Sequence, residues 1–300
     1  MSSERKAAFR AFLRAANGLA AARVEDVWAW SCARVRDVAP AAASCWSSSG
    51  RERVVVIAPH ADDEIIGCAG TVIRHVQAGD RTRIVVATDG RRSGAYGFDP
   101  AAMAERRREE AAEAARRLGA DLDWLGLPEG DWADQTGAAM LARVLSELSP
   151  TVVYAPSAID YHPEHRRVAA ALASIVPALP QPLEVRVYAI QVPLTRLLVN
   201  LVHDVSDLAD PIGRAAAAYA TQRQTIAYTL RLNRYAARCY GAGTMAEAFC
   251  RVPGPLYAAL HARPPATFRA IYPRAWTDPL AALRGWRERA AWRRYMLRQQ

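Results

Sequence analysis

Through the middle of the chain, short runs of β-branched and apolar residues alternate with longer stretches in which apolar positions recur at helical spacing. Short β-branched runs bounded by turn residues read as strands, and the longer periodic stretches read as amphipathic helices. Strands are predicted over 53–58, 82–88, 121–127, 151–155 and 184–191, with helices between them over 64–78, 101–118, 136–148 and 165–175. Gly79-Asp80, Gly119 and the proline-rich stretch 177–182 supply the stops. Regular alternation of strand and helix predicts an α/β fold: a Rossmann-like, mainly parallel sheet flanked by helices. No internal repeat is visible.

The flanks differ in character. Residues 1–50 are alanine-rich and helical in pattern, ending in Ser47-Ser48-Ser49-Gly50, which reads as a linker. After Asp204 the pattern turns mostly helical, which gives three expected regions: a helical N-terminal extension over 1–50, a catalytic α/β domain over 51–230 and a helical C-terminal extension over 231–300. The last twenty residues carry Trp286, Trp292 and six arginines. A basic amphipathic helix can lie on a membrane surface, but a helix that packs its tryptophans and solvates its arginines is the favoured reading.

Composition narrows the classes. With 300 residues, 51% of them hydrophobic, the chain can bury a large core, which excludes a disordered protein. The net charge of +9 suggests a polyanion partner until the residues are separated: Lys6 is the only lysine, and no basic cluster is interleaved with stacking aromatics. Nucleic acid is therefore not an expected partner. The five cysteines, Cys32, Cys45, Cys68, Cys239 and Cys250, show no metal-finger spacing and read as reduced thiols of a cytoplasmic protein. No run approaches the ~18 apolar residues of a transmembrane helix.

Two clusters carry the chemistry. Pro59-His60-Ala61-Asp62-Asp63-Glu64 follows the first predicted strand, and His162-Pro163-Glu164-His165 follows the fourth. Ligands in open α/β sheets bind at the carboxyl ends of strands, so both clusters stand where a site is expected. Zinc in a catalytic site takes three nitrogen or carboxylate ligands and keeps one position open. Adjacent Asp62 and Asp63 can divide the work, because a carboxylate on the cation has its pKa held low while its unbound neighbour is able to take a proton. Glu64 suits the start of a helix, where acids cap and favour the dipole. His162 and His165 share one helical face. Asp160 or Glu164 is placed to orient His162, whose cationic form would stabilise an oxyanion. Taken singly, each cluster also fits a plain helix cap.

In these residues the chain resembles the LmbE-like or PIG-L family of zinc-dependent de-N-acetylases, whose hallmarks are an A-H-P-D-D-E-like motif after the first strand and an H-P-D-H-like motif later. Lesser matches follow in order: Val86 to Gly90, Arg107 and Glu110 ahead of Gly119, Leu125 to Gly130, and Asp204-Val205-Ser206 leading to Tyr219-Ala220-Thr221-Gln222. The resemblance covers about residues 51–225. It implies that His60, Asp63 and His165 bind zinc or another divalent transition metal, that Asp62 is the general base, and that His162 stabilises the oxyanion or protonates the leaving amine. It also implies that Arg107 contacts substrate, the alternative being a solvated helix residue, and that Asp131 meets a sugar hydroxyl, the alternative being an exposed turn residue. Ala61 replaces the family's proline and Glu164 its aspartate, and neither change removes a ligand.

The expected activity is hydrolysis of the acetyl group from a small N-acetylated amino sugar or glycoconjugate. An amidase acting on another N-acyl sugar conjugate and an inactive carbohydrate-binding module are the alternatives. Neither the particular sugar nor the oligomeric state is encoded in the motifs.

Overall fold

The computed structural model describes residues 46–261 except 94–96, 98, 158, 159, 161, 181, 191–193 and 195–197, together with Arg5, Ala8, Phe9 and Phe12; for 224–228 and 231 it describes the backbone. The expected helix over 1–45 and the basic tryptophan-bearing tail lie outside the described residues, apart from those four positions. Among the described residues, no helix is long and apolar enough to cross a membrane.

Five parallel strands form as the β-branched runs predict: β1 (Arg53–Ala58), β2 (Arg81–Thr88), β3 (Asp121–Leu127), β4 (Val152–Pro156) and β5 (Glu184–Tyr188). Helices α1 (Asp63–Ala78), α2 (Pro100–Leu118), α3 (Asp134–Leu148) and α4 (Pro163–Ile175) connect them. Their ends carry the expected chemistry. Pro100 opens α2 behind Asp99, whose carboxylate accepts from the N–H groups of Ala101 and Ala102 at 2.9 and 3.0 Å. Gly79 and Gly119 close α1 and α2 in the left-handed conformation.

Beyond β5 the sequence expectation needs correction. The mostly helical region anticipated after Asp204 does contain α5 (Ala209–Ala216), α6 (Gln224–Tyr240) and α7 (Gly254–His261). It also contains β7 (Ala246–Pro253), which joins the sheet antiparallel to β5 and pairs on its other side with β6 (Leu201–Asp204). The strand order is β3-β2-β1-β4-β5-β7-β6. The sheet therefore reaches well past residue 230, the anticipated end of the α/β domain. The Ser47–Gly50 stretch is not a free tether either, because the Ser48 hydroxyl donates to Asp80 Oδ2 at 2.6 Å.

The sheet divides the core in two. Val55 and Ile57 of β1 face the layer formed with α3, α4, α6 and α7, while Val54, Val56 and Ala58 face the layer of α1, α2 and α5. Cys68, Cys239 and Cys250 are free thiols. For the site, the decisive feature is the neighbour pair β1 and β4, in parallel register from Val54 with Val152 to Val56 with Tyr154. From β1 the chain winds outward to β2 and β3, and from β4 outward to β5. The crevice between β1 and β4 is a topological switch point, where open α/β sheets bind ligands.

Candidate active site

Both sequence clusters open into that crevice, which is how His60 and His165 meet across 105 positions. The loop after β1 carries His60 to Asp62 into α1, and the loop after β4 carries His162 into α4. Pro163 takes the first helical position as expected, and His162 is the N-cap, its Nδ1 accepting from the Glu164 N–H at 3.3 Å.

Three donor atoms converge. His60 Nδ1, Asp63 Oδ2 and His165 Nε2 form a nearly equilateral triangle with edges of 3.2, 3.3 and 3.3 Å. A tetrahedral zinc centre with bonds of about 2.0–2.1 Å needs ligand atoms about 3.3–3.4 Å apart. The spacing of the three donor atoms therefore suits such an ion. His162 also borders this space, since one donor atom each from His60, His162 and His165 lie within 4.8 Å of one another. Its Nδ1 accepts the helix-capping bond, which in a neutral ring leaves the proton on Nε2. Its ring stands edge-on to His60, centroids 4.6 Å apart.

The outer nitrogens of both imidazoles face carboxylates. His165 Nδ1 lies 2.9 Å from Asp160 Oδ1, and His60 Nε2 lies 3.4 Å from Glu129 Oε1. These are charge contacts, since neither outer nitrogen makes a hydrogen bond of full geometry, and carboxylates so placed favour the ring orientation that presents the other nitrogen to a metal. They also dominate the electrostatics. Burial by itself would lower the His60 pKa, but Asp63 and Glu129 outweigh it and raise it to about 9. His165, where burial is likewise opposed by Asp63 and Asp160, rises to about 10. Burial would raise Asp63, yet the imidazoles, His165 foremost, hold it well below the usual carboxylate range.

Asp62 has the most unusual backbone of the site, with φ 123° and ψ −22°. Apart from Ser149, it is the only non-glycine residue with positive φ among the described residues. Such a conformation costs about 1–3 kcal/mol and persists where surrounding contacts over-determine it. Its N–H donates to Glu64 Oε2 at 3.1 Å, and the Tyr219 hydroxyl donates to Glu64 Oε1 at 2.6 Å. Arg107, 3% exposed, donates to the Ala61 carbonyl and stands 3.5 Å from Asp62 Oδ1. It passes over Gly90, where an added Cβ would lie 2.4 Å from Arg107 Nε. The result is that Asp62 is held beside the triangle at 9% exposure, while Asp63 and His165 are deeper at 2% each.

The sequence reading meets this geometry unevenly. His60, Asp62, Asp63, His162 and His165 come together. Arg107 is not a solvated helix residue but buried beside Asp62. Asp131 sits exposed on its turn, its N–H bonded to the Pro128 carbonyl at 2.8 Å. The carboxylate of that turn that reaches the site is Glu129. Glu164 does not orient His162 through its carboxylate, which instead accepts from Trp132 Nε1 and, at 3.0 Å, from Arg167. Asp160 instead accepts from the His162 backbone N–H at 2.9 Å, which fixes the main chain at the helix start, while it faces His165. Glu129 follows β3 as His60 follows β1, so the strand-end rule applied to a third strand would have pointed to it.

Residues 55–176 match the profile of the PIG-L family, described as GlcNAc-PI de-N-acetylase. Over 152 residues the chain is 30% identical to a 1D-myo-inositol 2-acetamido-2-deoxy-alpha-D-glucopyranoside deacetylase from Kineococcus radiotolerans. That alignment covers 39% of this chain and 42% of the relative, so the chain spans less than half the length of the curated relative it matches. Among solved structures, N,N'-diacetylchitobiose deacetylase from Pyrococcus horikoshii shares the fold, with TM-score 0.60 and 22% identity over 68% of this chain and 85% of that one. So does GalB, the 4-carboxy-2-hydroxymuconate hydratase from Pseudomonas putida, with TM-score 0.56 and 21% identity over 66% and 95%.

Proposed function

We propose that this protein is a metal-dependent amide hydrolase that removes the acetyl group from an N-acetylated amino sugar, releasing acetate and a free amine. The donor triangle of His60, Asp63 and His165 is the observation that carries this reading, because its edges suit a tetrahedral divalent ion and its outer nitrogens face the carboxylates of Asp160 and Glu129. Two nitrogens and one carboxylate suit zinc, which when bound would acidify water and polarise the amide carbonyl. Asp62, beside the triangle and outside it, takes the proton of the attacking water as the new C–O bond forms. That proton then goes to the leaving nitrogen as the C–N bond breaks, with His162 placed to deliver it or to stabilise the developing oxyanion. The matched family and the deacetylase relative support the choice of an acetylated amino sugar.

The fold alone does not select this chemistry, since one structural neighbour is a hydratase. Acetate release separates the readings. Zinc-loaded protein is incubated with the inositol glycoside processed by the curated relative, with N,N'-diacetylchitobiose and with N-acetylglucosamine. We expect acetate from at least one, and a loss of at least ~10²-fold in turnover for Asp62→Asn with bound metal unchanged. Metal-loaded protein that releases acetate from none of the panel, or an Asp62→Asn variant with full turnover, would overturn the assignment.

A further inference from the structure

We propose that the short segment from Tyr219 to Gln222 is a clasp that sets the conformation of Asp62, which makes Tyr219 and Thr221 positioning residues of the reaction. The inference rests on Asp62 being the base, as assigned above. The loop that carries Asp62 is flanked by α1 and α2, and the segment grips one carboxylate on each. On the α1 side, Tyr219 donates at 2.6 Å to Glu64, whose second oxygen accepts from the Asp62 N–H at 3.1 Å. On the α2 side, Thr221 donates to Glu110 twice, from its N–H at 3.0 Å and from its hydroxyl at 2.6 Å. Glu110 is three residues along the same helix from Arg107, which holds the Ala61 carbonyl and lies beside Asp62 Oδ1.

These contacts close a ring around a residue at φ 123°. Every member is enclosed: Glu64 and Tyr219 are 1% exposed, Arg107 and Glu110 3%, and Thr221 8%. Buried hydrogen bonds in a low-dielectric interior hold their members in fixed relation, and of this network only Arg107 Nε has no hydrogen-bond partner. Relaxation of Asp62 is blocked on one side by the Glu64 bond and on the other by Arg107, and the clasp anchors the helix behind each. A tie serving only to dock the segment on α1 and α2 would need no contact that continues to Asp62.

The test uses the full chain, zinc-loaded, as wild type, Tyr219→Phe, Thr221→Val, Thr221→Ser and Asp62→Asn. Both disruptive changes keep the side-chain shape, and a thermal melt verifies that each variant is folded. Crystal structures of Tyr219→Phe and Thr221→Val are expected to show Asp62 displaced from its positive φ while the His60, Asp63 and His165 donor atoms keep their spacing. Acetate release from the most active sugar of the panel is expected to show kcat lowered by between about 10- and 100-fold with KM held, as misplacement of a catalytic group does, and restored in Thr221→Ser. Asp62 unmoved in both crystals overturns the clasp, as does full kcat with Asp62 displaced. Full turnover in Asp62→Asn refutes the base assignment instead, and the crystals still decide whether the clasp sets this residue.

Discussion

His60 and His165 hold protons that a metal ion would have to displace. Asp63 between them, with Glu129 and Asp160 outside, raises their pKa values to about 9 and about 10, so the metal-free cluster retains bound proton at neutral pH. Ligation requires neutral imidazole, so metal uptake releases protons and affinity rises with pH up to that range. Calorimetric titration with zinc is expected to show tighter binding at pH 8 than at pH 6.5, with proton release detected by comparing buffers of different ionisation enthalpy. Asp160→Asn is expected to weaken binding by roughly 10- to 100-fold. Binding that does not change between those pH values would remove His60 and His165 as the ligands. These proposed ligands are legible in the sequence because each stands within a few residues of a strand end. Glu129 and the approach of Asp160 to His165 are less so, since which carboxylate of a turn points inward depends on packing and not on spacing.

At the scale of single elements, α1 shows how distant parts of the chain complete one another. The helix is interrupted at Cys68, with φ −157° and ψ 26°, between two glycines packed tightly on their neighbours. An added Cβ on Gly67 would lie 2.0 Å from the Tyr188 ring, and one on Gly70 2.6 Å from Val205. The break calls for a new helix start, and Glu247 of β7 provides its cap, its two oxygens accepting from the Gly70 and Thr71 N–H groups at 2.8 Å each. Glu247→Ala leaves both donors buried without that partner and is expected to cost about 2–4 kcal/mol. Glu247→Gln, which keeps one acceptor oxygen, is expected to cost roughly half as much. Urea unfolding measures both, and a loss below about 0.5 kcal/mol for the alanine variant would show the cap to be idle. The parallel strands are legible because each pairs within a β-α alternation. β7 is not, because it carries a buried charge and draws its stability from β5 and from β6, an antiparallel partner more than forty positions upstream.

Across the whole molecule, the layer on the α1 side is not purely apolar, and its buried histidines make stability depend on acid. His203 on β6 is 3% exposed; its Nδ1 lies 2.9 Å from Thr71 Oγ1, and Trp46 stacks edge-on between it and His75, with centroids 4.7 and 4.6 Å away. Burial, reinforced by Arg186, His75, Arg74 and Arg251, lowers its pKa from 6.5 to about 3. The folded protein thus keeps His203 neutral at pH values where the unfolded chain protonates it. Its contribution is complete above about pH 6.5 and falls by about 1.4 kcal/mol per pH unit as acid is added, until the folded pKa is reached. Glu247, whose pKa burial raises to about 7, works in the opposite direction over part of this range. A difference between two proteins that both carry Glu247 removes its own titration and leaves only its coupling to His203, its register partner across β6 and β7. His203→Gln removes the titration while keeping a side-chain amide near Thr71, so its stability relative to wild type should improve by about 2–3 kcal/mol between pH 7 and pH 4.5. Urea unfolding of the two proteins at both pH values gives that difference directly, and curves that stay parallel would mean that His203 takes up its proton in the folded state.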